Sequence, residues 1–90
     1  MSVYNKLRDL SIELPASATP AAAYVPYAIT GKQIYLSGHI AKKLDAKPWV
    51  GQLGAAITTE EGARAARAVA IDLLGTLHAA IGDLNKVKRI

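Results

Sequence analysis

Apolar and polar positions follow different rhythms along this chain. Between residues 4 and 12, Tyr4, Leu7, Leu10 and Ile12 recur among polar neighbours, which predicts one or two amphipathic helical turns. From Ala23 to Ile29, and again from Ile34 to Ile40, β-branched and aromatic residues concentrate as they do in strands. Within the second run Ile34 and Leu36 share one face and Tyr35 takes the other. Thr30-Gly31-Lys32 separates the runs, and Gly31 supplies the positive φ of a tight hairpin. Pro26 has no N–H for a ladder, so the first strand is predicted to be an edge or to be bulged there.

The most regular stretch is a helix from about residue 59 to 81. Thr58-Thr59-Glu60-Glu61 has the spacing of a capping box, with the Thr58 hydroxyl accepting from a first-turn amide while Glu61 reaches back. Apolar residues then recur at 63, 66, 70, 73, 74, 77, 80 and 81, a helical stripe. Glu60 and Arg64 stand four apart in the favourable order, and Gly82 is placed to close the helix in the left-handed region. The stripe is rich in alanine, which predicts a helix lying close over the hairpin. Gly75 interrupts it at a cost of about 1 kcal/mol relative to alanine.

Three segments lie outside these elements. Pro15 and Pro20, with small residues between them, predict an extended lead-in to the hairpin. Residues 41–57 form a long connection in which Trp49 is a predicted buried anchor and Gly51 and Gly54 mark turns. After Gly82, Asp83-Leu84-Asn85 reads as a turn, and Lys86-Val87-Lys88-Arg89-Ile90 alternates as a third strand would. A helix over one hairpin, with a strand barely begun, reads as a single domain lacking the second half of its fold.

Composition removes several classes. The 90 residues include no cysteine, which excludes a disulfide scaffold, a thiolate metal site and a cysteine nucleophile. At 51% hydrophobic the chain can form a core, yet no apolar run approaches the roughly 18 residues of a membrane helix. Neither a secretory signal nor a membrane partner is predicted from the polar start, and the location expected is cytoplasmic. A domain of this length buries only about 60–65% of its extended surface, so self-association would help it. Lys and Arg outnumber Asp and Glu by 11 to 7, but the cations are scattered, grouping only at 42–47 and 86–89. Neither group is interleaved with aromatics, so the charge reads as solvated surface and not as a nucleic-acid patch.

Candidate chemistry is sparse. His39 could serve as a general base, though no carboxylate at a recognisable spacing orients it. His78, on the helix flank, reads as a satisfied boundary residue, and two histidines so far apart do not make a metal site. Ser37 reads as a turn hydroxyl bonded to backbone, because no activating base accompanies it. Asp72 reads as surface.

One ordered set of motifs goes further. Leu14-Pro15, Tyr24-Val25-Pro26-Tyr27, Thr30-Gly31 and Tyr35-Leu36-Ser37-Gly38-His39-Ile40 are followed by Val50-Gly51-Gln52-Leu53-Gly54 and Thr59-Glu60-Glu61-Gly62 with Ala65-Ala66-Arg67. Leu73-Leu74 and Ile81-Gly82-Asp83-Leu84-Asn85-Lys86-Val87 complete the series. In this order, over residues 14–90, they resemble the Rid/YjgF family, the reactive-intermediate enamine/imine deaminases (RidA-type) formerly labelled L-PSP endoribonucleases. The Leu-Pro lead-in and the Val-Gly-x-Leu-Gly loop resemble its less characterised YjgF-like branch.

The resemblance implies an α+β, chorismate-mutase-like subunit in which a hairpin and sheet are covered on one face by a helix. It implies a homotrimer with ligand clefts between neighbours, and a cofactor-free, metal-free hydrolase converting 2-imino acids to 2-keto acids and ammonia. Tyr27 matches the family's cleft tyrosine and Ser37-Gly38 the turn lining the pocket, while His39 stands where glutamine is usual; these four form the implied ligand cleft. Gly31, Gly51, Gly54, Thr58, Glu61 and Gly82 are structural in this reading. The arginine that grips the substrate carboxylate and the glutamate that places water belong to the family's second half and match nothing in residues 1–90. The alternative is therefore a non-catalytic, small-ligand-binding or structural oligomer.

Overall fold

A computed structural model of the chain describes residues 2–15, 25–40 and 51–90. The predicted lead-in beyond Pro15 and the Trp49 anchor lie outside the described residues. Helix α1 spans Val3–Asp9, strands β1 and β2 span Tyr27–Thr30 and Gln33–Leu36, and helix α2 spans Thr59–Ile81. A 3-10 turn at Leu84–Lys86 follows.

Ser2 caps α1, its hydroxyl accepting from the Tyr4 N–H at 3.1 Å. The helix ends in a Schellman motif: the Ser11 N–H reaches the Arg8 carbonyl at 3.0 Å and the Ile12 N–H reaches the Leu7 carbonyl at 2.9 Å. Ser11 occupies the left-handed position of that motif, with φ of 57°, where glycine is usual. The motif turns the chain so that Ile12 packs back on Leu7.

β1 and β2 pair antiparallel, Tyr27 opposite Leu36 and Ile29 opposite Ile34, around Gly31 at φ 59°. Residues directly opposite share a face, so Tyr27, Ile29, Ile34 and Leu36 form the inner side, while Tyr35 is exposed on the outer. Pro26 ends the ladder through its carbonyl, which accepts from the Ser37 N–H at 2.9 Å.

α2 begins at the predicted capping box, with the Glu61 N–H 3.1 Å from Thr58 Oγ1 and the Thr58 N–H 3.0 Å from Glu61 Oε1. It closes at Gly82, φ 78°, whose N–H meets the His78 carbonyl at 2.7 Å. The burial pattern corrects the predicted stripe. Leu77 is buried and Leu73, Leu74, Ala80 and Ile81 are half-buried, but Ala63, Ala66 and Ala70 are exposed. The first half of α2 meets the 51–57 turn instead at Gly62, where a Cβ would come within 2.4 Å of Leu53 Cδ2.

The core gathers Leu7, Leu77 and Leu84, with Ile34 and Leu36 packed against it from the hairpin. α2 therefore covers the inner face of the hairpin by its C-terminal half. Burying leucines of this kind contributes about 1.5–3 kcal/mol each. Two polar links fasten α1 to the end of α2. The Tyr4 hydroxyl accepts from the Leu84 N–H at 2.7 Å and meets His78 Nδ1 at 2.8 Å, and Asn85 Oδ1 accepts from the Val3 N–H at 2.8 Å.

The predicted strand at Lys86–Ile90 is not formed. Asp83 caps the 3-10 turn through the Asn85 N–H, and residues 87–90 pair with no strand among the described residues. Alternation marks a chain that can pair; the pairing itself needs a neighbour.

Candidate functional site

The hairpin register brings the four proposed cleft residues to one end. Tyr27 stands opposite Leu36, and Ser37, Gly38 and His39 follow immediately as β2 leaves the sheet. Ser37 is held twice to the opposite strand's lead-in: its N–H donates to the Pro26 carbonyl, and its hydroxyl donates to the Val25 carbonyl. With its proton committed to a carbonyl, Ser37 acts as a staple for the turn and not as a nucleophile.

His39 is fixed through both ring nitrogens. Nδ1 lies 2.8 Å from the Ser37 carbonyl, and Nε2 lies 2.7 Å from Thr76 Oγ1. A carbonyl only accepts, so Nδ1 carries the proton. In the neutral ring Nε2 is then the acceptor, and the Thr76 hydroxyl donates to it. Thr76 is 2% exposed, on the stretch of α2 where Gly75, Thr76 and Leu77 are all buried. The pair ties the end of β2 to the middle of α2 and orients the imidazole as a fixed wall. Both ring nitrogens of His39 are thus engaged by groups of the chain itself.

Thr76 is the residue that reading the chain alone missed. A mid-helix threonine ordinarily bonds its own helix carbonyl four residues back, and the one available signal was a lone hydroxyl among Leu74, Gly75 and Leu77. Gly75 has a specific reason beside it: a Cβ there would lie 2.6 Å from the Pro15 carbonyl oxygen and 3.2 Å from its ring carbons. The glycine lets the 11–15 segment lie directly on α2.

His78 sits apart from this group and belongs to the α1 clasp, its ring edge-on to Tyr4 at 5.5 Å between centroids and 81° between planes. Asp72 is half-buried, not surface. Among the described residues no three His, Cys, Asp or Glu side chains come together to hold a metal ion, and no helix is long and apolar enough to cross a membrane.

Two open grooves lie elsewhere. One, of about 990 Å³, runs beside α1 and is walled by Tyr4, Arg8, Glu13 and His78. The other, of about 1010 Å³, lies between the hairpin and residues 86–90. Neither takes in Tyr27, Ser37, Gly38 or His39.

The geometry agrees with known proteins. Residues 5–90 match the family model described as "YjgF/chorismate_mutase-like, putative endoribonuclease". "Protein TCP17" of Trypanosoma cruzi is 45% identical over 84 residues, which are 93% of this chain and 52% of that protein. A crystal structure of "a putative endoribonuclease" from Shewanella oneidensis MR-1 superposes with a TM-score of 0.85 at 34% identity, over all of this chain and 60% of that one. The chain thus spans about half the length of the first relative and three-fifths of the second. With a hairpin covered by one long helix, an ordered motif series and a family match over nearly its whole length, the chain belongs to the YjgF/chorismate mutase-like family.

Proposed function

We propose that the end of β2, with Tyr27, Ser37, Gly38 and His39, forms one wall of a site for small 2-imino or 2-keto acids. The observation that carries this reading is the pair of bonds on His39, which fix the Ser37-Gly38-His39 turn against α2. Such a preorganised turn presents main-chain groups and a planar ring to a small ligand without further ordering. The activity class is that of the enamine/imine deaminases that these motifs resemble: water adds to the C=N carbon, and collapse of the carbinolamine expels ammonia and leaves the 2-keto acid. No cofactor is needed for that step.

The same reading includes self-association as a homotrimer in the cytoplasm, with the cleft completed by a neighbouring subunit. Val25, Ile40 and Leu53 are each more than half exposed, apolar surface that a subunit contact would cover. The test is to generate 2-aminoacrylate enzymatically in the presence of the protein and follow pyruvate. Release faster than the spontaneous reaction supports the hydrolase.

A second reading is binding without turnover. It is favoured by the engagement of both His39 nitrogens and by the lack of any arginine among the four wall residues, since a guanidinium is the natural grip on a carboxylate. Pyruvate release at the buffer rate, together with saturable binding of a 2-keto acid, selects it.

A further inference from the structure

The two histidines of the chain are held in opposite ways. At His39 the neighbour of Nδ1 is a main-chain carbonyl, which only accepts, so the proton sits on Nδ1. At His78 the neighbour of Nδ1 is the Tyr4 hydroxyl, 2.8 Å away. That hydroxyl already accepts from the Leu84 N–H at 2.7 Å, and a backbone N–H can only donate. The phenol proton then has one acceptor beside it, His78 Nδ1. If Nδ1 also carried a proton, the phenol oxygen would face a donor on each side. Its own proton would have no acceptor among the described residues. His78 is thus the Nε2–H tautomer.

An added proton acts differently on the two rings. A charged imidazole has two donors and no acceptor. Opposite His39 Nε2 stands Thr76 Oγ1, a hydroxyl that can change from donor to acceptor by turning its proton to the helix carbonyl one turn back. The Tyr4 hydroxyl has no such freedom, because its accepting side is held by Leu84. Charging His78 therefore forces either the imidazole or the Leu84 N–H off the phenol. Leu84 is 2% exposed, so an amide released there is poorly placed to find water.

The charged groups around this contact come from three segments. Arg8 of α1 and Glu13 of the 11–15 segment line the same groove as Tyr4 and His78, and Arg8 donates to Asn5 Oδ1 at 3.0 Å. Beyond α2, Asp83 accepts from the Asn85 N–H at 3.0 Å, and Lys86 Nζ donates to the Ile81 carbonyl at 3.4 Å. None of these four bonds to the imidazole or to the phenol.

We infer that Tyr4, His78 and the Leu84 amide form an acid-released latch between α1 and the end of α2. It is closed while His78 is neutral and opens as the ring takes up a proton. Leu7 of α1 packs with Leu77 and Leu84 beneath the latch, so release loosens α1 over the core. The other polar link of α1, from the Val3 N–H to Asn85 Oδ1 at 2.8 Å, contains no titrating group and does not respond.

The test is NMR on the ¹⁵N-labelled chain. Two-bond ¹H–¹⁵N spectra read the tautomer of His78, and amide exchange, corrected for its intrinsic pH dependence, reads protection at Leu84. At about pH 7.5 the Nε2–H tautomer is expected. Between about pH 7.5 and about pH 5, protection of Leu84 should fall by about tenfold, the equivalent of one hydrogen bond. His78→Gln, whose side-chain carbonyl accepts from Tyr4 but takes up no proton, should abolish the fall. Tyr4→Phe should lower protection of Leu84 by a similar factor at both pH values, and His39→Gln should leave the fall in place. Circular dichroism checks that each variant remains folded. An Nδ1–H tautomer at His78 overturns the inference, as does protection of Leu84 that ignores pH in the unaltered chain. A fall that persists in His78→Gln, or vanishes in His39→Gln, overturns it too and assigns the acid response to another group.

Discussion

Thr76 Oγ1 and His39 Nε2 lie 2.7 Å apart, joining a buried position on α2 to the end of β2 across 37 residues of sequence. This bond closes the tertiary path from the long helix to the proposed ligand wall. Removing the hydroxyl with Thr76→Val keeps the shape and leaves Nε2 facing an apolar methyl. A buried group deprived of its partner costs about 1–3 kcal/mol. Urea denaturation should show a loss of that size, with Thr76→Ser close to wild type. Equal midpoints for the Val and wild-type proteins would show that the bond carries no stability.

Gly75 sets two effects against each other. In an exposed helix, replacing it with alanine gains about 1 kcal/mol of helix propensity. Here the new methyl would meet the Pro15 carbonyl oxygen at 2.6 Å. Overpacking of this kind costs about 1–3 kcal/mol, and the neighbour is backbone with little freedom to move aside. Gly75→Ala should therefore destabilise the protein in thermal melts, against the propensity scale. A raised melting temperature would mean that the 11–15 segment does not rest on α2.

Ser11 presents the opposite case. It holds φ 57° at the left-handed position of the α1 terminus, with its N–H on Arg8 and the next N–H on Leu7. A side chain in that region costs about 1 kcal/mol relative to glycine. Ser11→Gly should raise stability by about that amount in the same denaturation experiment. A loss of stability would place the serine side chain in a favourable role that its backbone geometry does not reveal.

Features fixed by local chemistry were legible in the chain. The Thr58–Glu61 box, the turn at Gly31 and the stop at Gly82 each depend on residues within a few positions of one another, and each has the expected geometry. Features that depend on distant partners were not. The contact of His39 with Thr76 and that of Tyr4 with His78 span 37 and 74 residues, and no spacing rule connects them. The stripe through Ala63, Ala66 and Ala70 failed because alanine tolerates either face: its periodicity carries little energy, and the 51–57 turn decided which side of the helix is covered. The turn expected at Asp83-Leu84-Asn85 is the 3-10 turn at Leu84–Lys86, while the alternation of residues 87–90 meets no neighbouring strand among the described residues.

The central claim is that the end of β2 contacts a small 2-keto acid. Titration of ¹⁵N-labelled protein with 2-oxobutanoate, read by amide chemical shifts, tests it most directly. Saturable shifts concentrated at Tyr27, Ser37, Gly38 and His39, weakened by Thr76→Val, are the predicted result. Shifts confined to the α1 groove at Tyr4, Arg8 and His78, or no shift at the end of β2 at millimolar ligand, would contradict it.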